Sequence, residues 1–424
     1  MEKWIMGEPL VVFLIVLAGI YALLFWTFSL RYPSLPLALI VGLAPFQNDL
    51  SGFGGLHFSA SEVHLFLSSP LLFFQRSSIR SGWMASYLGC ALMVTTLLAL
   101  PSWRDSSLLS LVQMFLYWGW AVIVCANLPR RPSDLVPAWT TLLVVGVGLS
   151  MVILVTRSNY SFGLNKNGIG ASLACALVVA CDRWQTCPQR NRWRYVLVLI
   201  VLGLALVFVL SRGAWIAAFL GVSTLFIWRA QYVRLLKICC VAVPVVCVAW
   251  AMLPGESRDY ALGFDESRYN IHARRLNSEF ALEQWQLSPY VGVGVGLRKE
   301  YDATNVLLLT LAESGPLGLF AFLAVHGRLF AGVWARRRWW PSNSIHSSAV
   351  ILAGALALGK LAHGVVDHYW SRGAIMIVWA SVGMAVSMDR MGLPAAGATG
   401  SNRFTSRSKN RRLKRWPSPA HTIS

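Results

Sequence analysis

Arg212 is a basic residue between two apolar stretches, in the sequence SRGAWIAAFLG that covers residues 211–221. A guanidinium group stays charged at any relevant pH and donates two parallel hydrogen bonds to a phosphate. Two arginines that converge from different segments would therefore form a diphosphate clamp. The ordinary alternative for an arginine at the end of a membrane helix is that only its charged head reaches the interface.

A second group of residues that could do chemistry lies in HGVVDHYWSRG, residues 363–373. His363 and Asp367 are four residues apart, so they share one face of a helix. Ionisable residues near the end of a membrane span are costly unless they are used or paired. Two interpretations stay open: acceptor or diphosphate binding by His363, Asp367 and His368 with help from Arg372, or a capping and interface cluster. His368 points away from the other two, so we expect no metal site.

Long apolar runs must position these side chains. The chain of 424 residues is 56% hydrophobic and 13% charged. Runs of about 20 apolar residues are long enough to cross a bilayer as helices. They cover 9–30, 82–100, 107–126, 135–156, 194–210, 213–228, 235–253, 304–334, 347–366 and 372–388, with shorter runs at 35–46, 61–75 and 167–182. The sequence predicts an all-α polytopic membrane protein with 12 or 13 transmembrane helices.

The basic residues predict which side each loop faces. The net charge of +19 comes largely from short loops and from a C-terminal tail, a placement that argues against nucleic-acid binding. Basic loops favour the cytoplasmic side, and the tail is expected to touch anionic lipids of the membrane. The remaining connections are then external, and they cover 101–106, 156–166, 211–212, 254–303 and 363–372. Arg157 and Lys166 add positive charge to this external side.

One external connection is a polar loop of its own. It divides the chain into an N-terminal transmembrane bundle (1–253), the loop (254–303), C-terminal transmembrane helices (304–390) and a basic tail (391–424) that is expected to be disordered. Within the loop, residues 271–287 predict a short amphipathic helix on the membrane surface, with Arg274 and Arg275 in its first turn. The glycines of VGVGVG, residues 291–296, predict a turn that lets the loop pack closely.

These motifs together resemble a known family. SRGAWIAAFLG, then the large external loop, then SPYVGVGVG and TNVLLLTLAESGPLG are similar to the signature of the O-antigen ligase and O-antigen polymerase family, across about residues 155–320. Members are bacterial inner-membrane glycosyltransferases of the GT-C type. The resemblance covers the order and the spacing of the motifs. The family arginine in the loop corresponds to Arg274, although Ser278 stands where the family has a tryptophan, which keeps Arg275 as an alternative.

The resemblance implies a mechanism and its partners. The donor is a glycan on an undecaprenyl diphosphate carrier, the acceptor is lipid A core or another glycan, and the site faces the periplasm. Arg212 and Arg274 would bind the diphosphate and stabilise the charge of the leaving group. No metal and no cofactor are implied. Ligation of O-antigen to lipid A core is the leading interpretation; a polymerase of the same family and a transporter of lipid-linked glycans are the alternatives.

One departure from the family pattern concerns the catalytic base. The family has a His–Asn pair nine residues before a GxxG, and this chain keeps Asn305, a further candidate substrate-binding residue, but has Thr304 at the histidine position. A threonine cannot act as a general base near neutral pH. Asp302 is the first candidate to replace it, and His363, Asp367 and His368 are the others. A dissociative reaction that needs no base is the third possibility.

Overall fold

The computed structural model describes residues 8–47, 58–74, 83–103, 107–157, 164–262, 269–300, 305–367, 369–370 and 372–391. Within these ranges the chain is helical apart from turns, and it contains no β-strand. Helices satisfy their backbone hydrogen bonds internally, which is what a chain in hydrocarbon requires. The protein is therefore an all-α polytopic membrane protein, as the apolar runs predict. The predicted disordered tail lies outside the described residues except for Met391.

The helices follow the predicted apolar runs closely. Those of the first half are α1 (Glu8–Arg31), α2 (Ser34–Gly42), α3 (Ala60–Ser68), α4 (Leu71–Phe74), α5 (Trp83–Leu98), α6 (Ser107–Met114), α7 (Ala121–Asn127), α8 (Val136–Thr156) and α9 (Lys166–Thr186). A π-helical segment over Phe115–Trp120 joins α6 to α7, so that these pieces form one continuous span. Those of the second half are α10 (Arg192–Phe208), α11 (Arg212–Trp228), α12 (Tyr232–Ala251), α13 (Gly255–Leu262), α14 (Tyr269–Leu287), α15 (Leu297–Glu300), α16 (Val306–Arg336), α17 (Ile345–Val366) and α18 (Arg372–Met391).

Fewer helices of the described ranges are long enough to cross a membrane than the 12 or 13 spans predicted. Seven helices in the described ranges are long and apolar enough to cross a membrane. Four shorter apolar helices accompany them, at Ala60–Phe74, Leu88–Leu98, Arg212–Trp228 and Gly373–Asp389. The total of 12 or 13 is reached only if α2, α9 or both also cross, so the count itself stays a prediction.

The helices α9, α11 and α17 form the centre of the bundle and touch through small residues. A Cβ atom added to Gly170 would lie 2.7 Å from the Cβ of Ala214 on α11. A Cβ atom on Gly359 would lie 2.7 Å from the carbonyl oxygen of Ala217. Small residues let membrane helices approach this closely. The ends of the three helices are therefore near enough for their polar residues to meet.

The polar loop contains α13, α14 and α15. Because α14 begins at Tyr269, Arg274 and Arg275 lie in its second turn, and the prediction that they lie in the first turn is wrong. The helix packs against α16 through the buried Ala281 and the half-buried Phe280 and Trp285. Contact between this helix and the membrane surface stays a prediction, as do the boundaries of the four predicted parts of the chain.

The glycine-rich turn at 291–296 fastens the loop to a kink in α16. The kink lies at Gly315, whose φ is +60°, just before Pro316. A Cβ atom on Gly315 would lie 2.3 Å from the carbonyl oxygen of Tyr290, so only glycine fits there. The backbone N–H of Val293 donates to the carbonyl of Ala312 at 2.9 Å. The predicted close packing of this turn is confirmed.

Candidate functional site

The segments that the charge pattern places on the external side meet at one end of the bundle. The Trp103 ring is 3.3 Å from where a Cβ atom of Gly294 would lie. The Ser211 hydroxyl donates to Oδ1 of Asn167 at 3.1 Å. The Arg274 guanidinium donates to the carbonyl of Val366 at 2.9 Å. We call the residues at 166–168, 211–213, 274, 363–367 and 372–373 the Arg212 end of the bundle.

Arg212 is the first residue of α11 and is half-buried. The turn between α10 and α11 has only three residues, 209–211, and Leu210 adopts a left-handed backbone conformation with a φ of +56°. That conformation costs about 1–2 kcal/mol for a residue with a Cβ atom. Such strain concentrates at functional sites, because the surrounding structure must hold it in place. The packing around this turn therefore holds Arg212 in position, although the backbone conformation of Leu210 costs free energy.

Arg274 reaches the same end from the polar loop. Besides its hydrogen bond to Val366, its guanidinium lies 4.0 Å from Oδ2 of Asp367, and its side chain is 40% exposed. The Val366 carbonyl is at the C-terminal end of α17, where the helix dipole favours a cation. Arg274 is therefore anchored on one side while part of its guanidinium faces open space.

His363 and Asp367 lie side by side, as their spacing predicts. Nε2 of His363 is 3.9 Å from Oδ2 of Asp367, and their side chains are 1% and 2% exposed. The imidazole also packs on Gly213, because a Cβ atom there would lie 2.9 Å from its Cδ2 atom. The pair thus touches the start of α11 on one side and Arg274 on the other.

Three helices begin at this end, and each begins with a basic residue: Lys166 on α9, Arg212 on α11 and Arg372 on α18. The N-terminus of a helix carries a partial positive charge and free N–H groups. It binds anions well and disfavours nearby cations by 0.3–1 kcal/mol. Positive charge is therefore concentrated here at a cost to the free energy of folding, which an anionic ligand would offset.

Gln47 connects two of these helix starts. Its Nε2 atom lies 3.1 Å from the Cβ position of Gly168 and 2.6 Å from that of Gly373. The atom is buried and has no hydrogen-bond partner among the described residues. An unsatisfied buried amide is costly, about 1–3 kcal/mol. An acceptor oxygen of a ligand placed between α9 and α18 would satisfy it.

The structure separates the two neighbouring arginines of the loop. Arg275 is 63% exposed and pairs with Glu279 at 2.9 Å along α14, whereas Arg274 faces α17. Arg157 is exposed at the C-terminal end of α8 and contacts no described residue of the Arg212 end. Asn305 caps α16 by accepting hydrogen bonds from the N–H groups of Leu307 and Leu308. Asp302 and His368 lie outside the described residues.

Two residues that the sequence interpretation missed belong to this region. One is Gln47, which has no recognisable motif around it. The other is Lys360, which lies inside the apolar run at 347–366 and is 3% exposed. A lysine within such a run is rare and is a functional signal in itself. Nζ of Lys360 is 3.3 Å from Nδ1 of His363, so Lys360 extends the polar cluster into the bundle.

The electrostatic balance at this end is positive. Lys166 and Arg212 begin helices at this end, Arg274 lies beside Asp367, and Lys360 is nearby; Asp367 is the one carboxylate among the described residues of the Arg212 end. Tyr369 follows Asp367 closely; burial raises the pKa of its hydroxyl, which therefore stays protonated and donates to Nε2 of His326 at 2.8 Å. In the described part of the chain, no group of three or more His, Cys, Asp or Glu residues is placed to hold a metal ion. The arrangement can bind an anion through guanidinium, ammonium and helix N–H groups.

Comparisons with known proteins add little to this geometry. No protein-family profile matches the sequence. No curated protein matches it either. Among solved structures, a chain described under structural coordination of polymerization and crosslinking by a peptidoglycan synthase complex is similar, with 18% sequence identity and a TM-score of 0.46. The similarity covers 74% of this chain and 98% of that chain. Nothing about function follows from a similarity that low.

Proposed function

We propose that the Arg212 end binds the diphosphate of a lipid-linked glycan, and that the protein is a glycosyltransferase. The donor is a glycan on undecaprenyl diphosphate, and the reaction is ligation of O-antigen to lipid A core at the periplasmic face of the bacterial inner membrane. The observation that carries the proposal is that the start of α11, which bears Arg212, and the side chain of Arg274 both contact the C-terminal end of α17, next to the starts of α9 and α18.

The reaction needs the charges found at this end. The acceptor hydroxyl oxygen forms a bond to the anomeric carbon, and the bond from that carbon to the phosphate oxygen breaks. The bonding electrons leave with the lipid diphosphate, whose added negative charge is stabilised by Arg212 and Arg274. Fixed donors aimed at developing charge are worth about 3–4 kcal/mol each in other enzymes.

The acceptor proton goes to a carboxylate or an imidazole. Asp302 stays the first candidate because it lies two residues before Thr304, which stands at the family histidine position. His363 and Asp367 are the alternatives in the described part of the chain, and both are almost fully buried. Asp302→Asn should slow transfer by roughly 10²-fold with little change in donor binding. Loss of donor binding instead would assign Asp302 to the diphosphate site.

The test uses purified protein in lipid nanodiscs with an undecaprenyl-diphosphate-linked glycan and lipid A core. Formation of the glycan–core product supports ligation, and chain extension of the donor without core would instead identify a polymerase. A donor that is moved across the bilayer and never consumed would contradict both and identify a transporter. Arg274→Gln should lower transfer, whereas Arg275→Gln, the neighbouring exposed arginine, should not. We expect transfer to persist in EDTA.

A further inference from the structure

Lys360 is a charged residue at a depth where charge is expensive. It lies in α17 six residues before the helix ends at Val366, and it lines a small cavity with Cys175, Ala217 and His363. The cavity has a volume of about 10 Å³. That is room for one water molecule at most. A buried ammonium group between membrane helices is retained only where it is paired or used.

A series of close contacts connects Lys360 with Arg274. Nζ of Lys360 is 3.3 Å from Nδ1 of His363. Nε2 of the same imidazole is 3.9 Å from Oδ2 of Asp367, and that oxygen is 4.0 Å from the Arg274 guanidinium. The ring of Tyr369, which lies 5.9 Å from Nζ of Lys360, covers the ammonium. The contacts lead from the bundle interior to the proposed diphosphate site.

We propose that Lys360 is a positioning residue that fixes the proton of His363 on Nε2, so that this N–H group faces Asp367 and holds its carboxylate beside Arg274. An ammonium group can only donate hydrogen bonds, so Nδ1 of His363 must accept. The single imidazole hydrogen then lies on Nε2, which faces Asp367. This inference rests on the proposed function, because it assigns Arg274 to donor binding.

The carboxylate of Asp367 then has the N–H group of His363 on one side and the guanidinium of Arg274 on the other. The charged and titratable groups on the surrounding elements are Lys360, Asp367, Tyr369, Cys175 on α9, Arg212 on α11 and Arg274 on α14.

Four proteins test the proposal: wild type, Lys360→Met, His363→Gln and the double variant. In the nanodisc transfer assay we expect Lys360→Met to lower kcat by roughly 10²-fold, the effect of a misplaced group, with a smaller change in KM. Nitrogen-15 NMR of the histidine imidazoles reads the tautomer directly, and the signal missing from His363→Gln identifies His363. We expect the hydrogen on Nε2 in the wild type and exchange between both nitrogens in Lys360→Met. Glutamine offers an oxygen to Lys360 and an N–H group to Asp367. His363→Gln should therefore transfer faster than the double variant.

The NMR signal of His363 gives a reading that does not depend on activity. A wild type that binds no donor and transfers no glycan would contradict the proposed function alone. A hydrogen on Nδ1 of His363 in the wild type, or the same tautomer in wild type and Lys360→Met, would overturn the role of Lys360.

Discussion

The helices α9, α11 and α17 carry polar clusters at both ends, and the two clusters differ in how their charges are paired and exposed. At the end opposite the Arg212 end, Arg229 forms an ion pair with Asp182 and hydrogen bonds with Gln185 and Ser348. Arg183 also pairs with Asp182, at 3.2 Å. The side chains of Arg229 and Asp182 are 1% and 0% exposed. We call these five residues the Arg229 end. At the Arg212 end, by contrast, Arg274 is 40% exposed and lies 4.0 Å from the Asp367 carboxylate.

The helix dipole of α11 adds to the difference between the two ends. Arg229 follows the C-terminal end of α11, where a cation is favoured, whereas Arg212 begins the same helix, where a cation is disfavoured. The Arg229 end pairs its buried arginine with a buried carboxylate, although Nε of Arg229 and Nε2 of Gln185 have no hydrogen-bond partner among the described residues. The Arg212 end keeps positive charge where it costs stability. One helix therefore shows how the chain separates a structural cluster from a candidate binding site.

The largest expected effect is on the stability of the Arg229 end. Arg229→Met should lower the free energy of unfolding by about 3 kcal/mol, because the buried Asp182 carboxylate loses its buried partner and keeps the more exposed Arg183 at 3.2 Å. The measurement is the apparent melting temperature in detergent. The double variant Asp182→Leu/Arg229→Met should recover most of the loss, since it removes both charges. If Arg229→Met is as stable as the wild type, the ion pair does not stabilise this end of the bundle.

A substitution at the Arg212 end should lower glycan transfer and leave the stability unchanged. Arg212→Lys should abolish transfer, a loss of at least about 10²–10³-fold, because an ammonium group cannot make the two parallel hydrogen bonds of a guanidinium. The melting temperature should stay within the error of the wild type. Arg275→Lys is the matched control, since Arg275 pairs with Glu279 on the surface of α14. Full transfer by the lysine variant would remove Arg212 from the site.

The sequence predicted the helices and the local motifs at the two ends better than the contacts between distant segments. Periodicity and hydropathy located nearly every helix, and the spacing of four residues paired His363 with Asp367. The choice between Arg274 and Arg275 could not be made locally, because it depends on a contact with Val366, 92 residues away. Gln47 was missed for the same reason, since only packing places it between α9 and α18.

Gln47 permits a change that separates function from stability. Gln47→Glu places a carboxylate beside the starts of α9 and α18, where the helix dipoles favour it by about 0.3–1 kcal/mol. The same charge would repel a diphosphate, so we expect the donor KM to rise about tenfold. Melting temperature and steady-state kinetics measure the two effects on one preparation. An unchanged KM would show that no anion binds between these two helix starts.

The smallest expected effect concerns the two turns that flank α11. Leu210 before the helix and Ala230 after it both have left-handed backbone conformations, with φ of +56° and +55°. Ala230→Gly removes the Cβ strain of about 1–2 kcal/mol, and the greater freedom of glycine in the unfolded chain offsets about half of it. We therefore expect the free energy of unfolding to rise by less than about 1 kcal/mol. Transfer should not change, because Ala230 lies next to the Arg229 end of the bundle. Leu210→Asn is the matched change at the other turn, because asparagine tolerates this conformation but gives up the packing of Leu210 with Ala249 and Leu253. If that packing holds Arg212 in place, the asparagine variant should lose transfer while Ala230→Gly keeps it. Equal transfer by both variants would mean that the two turns serve only to end helices, and that Arg212 is positioned by the contacts of α11 with α9 and α17.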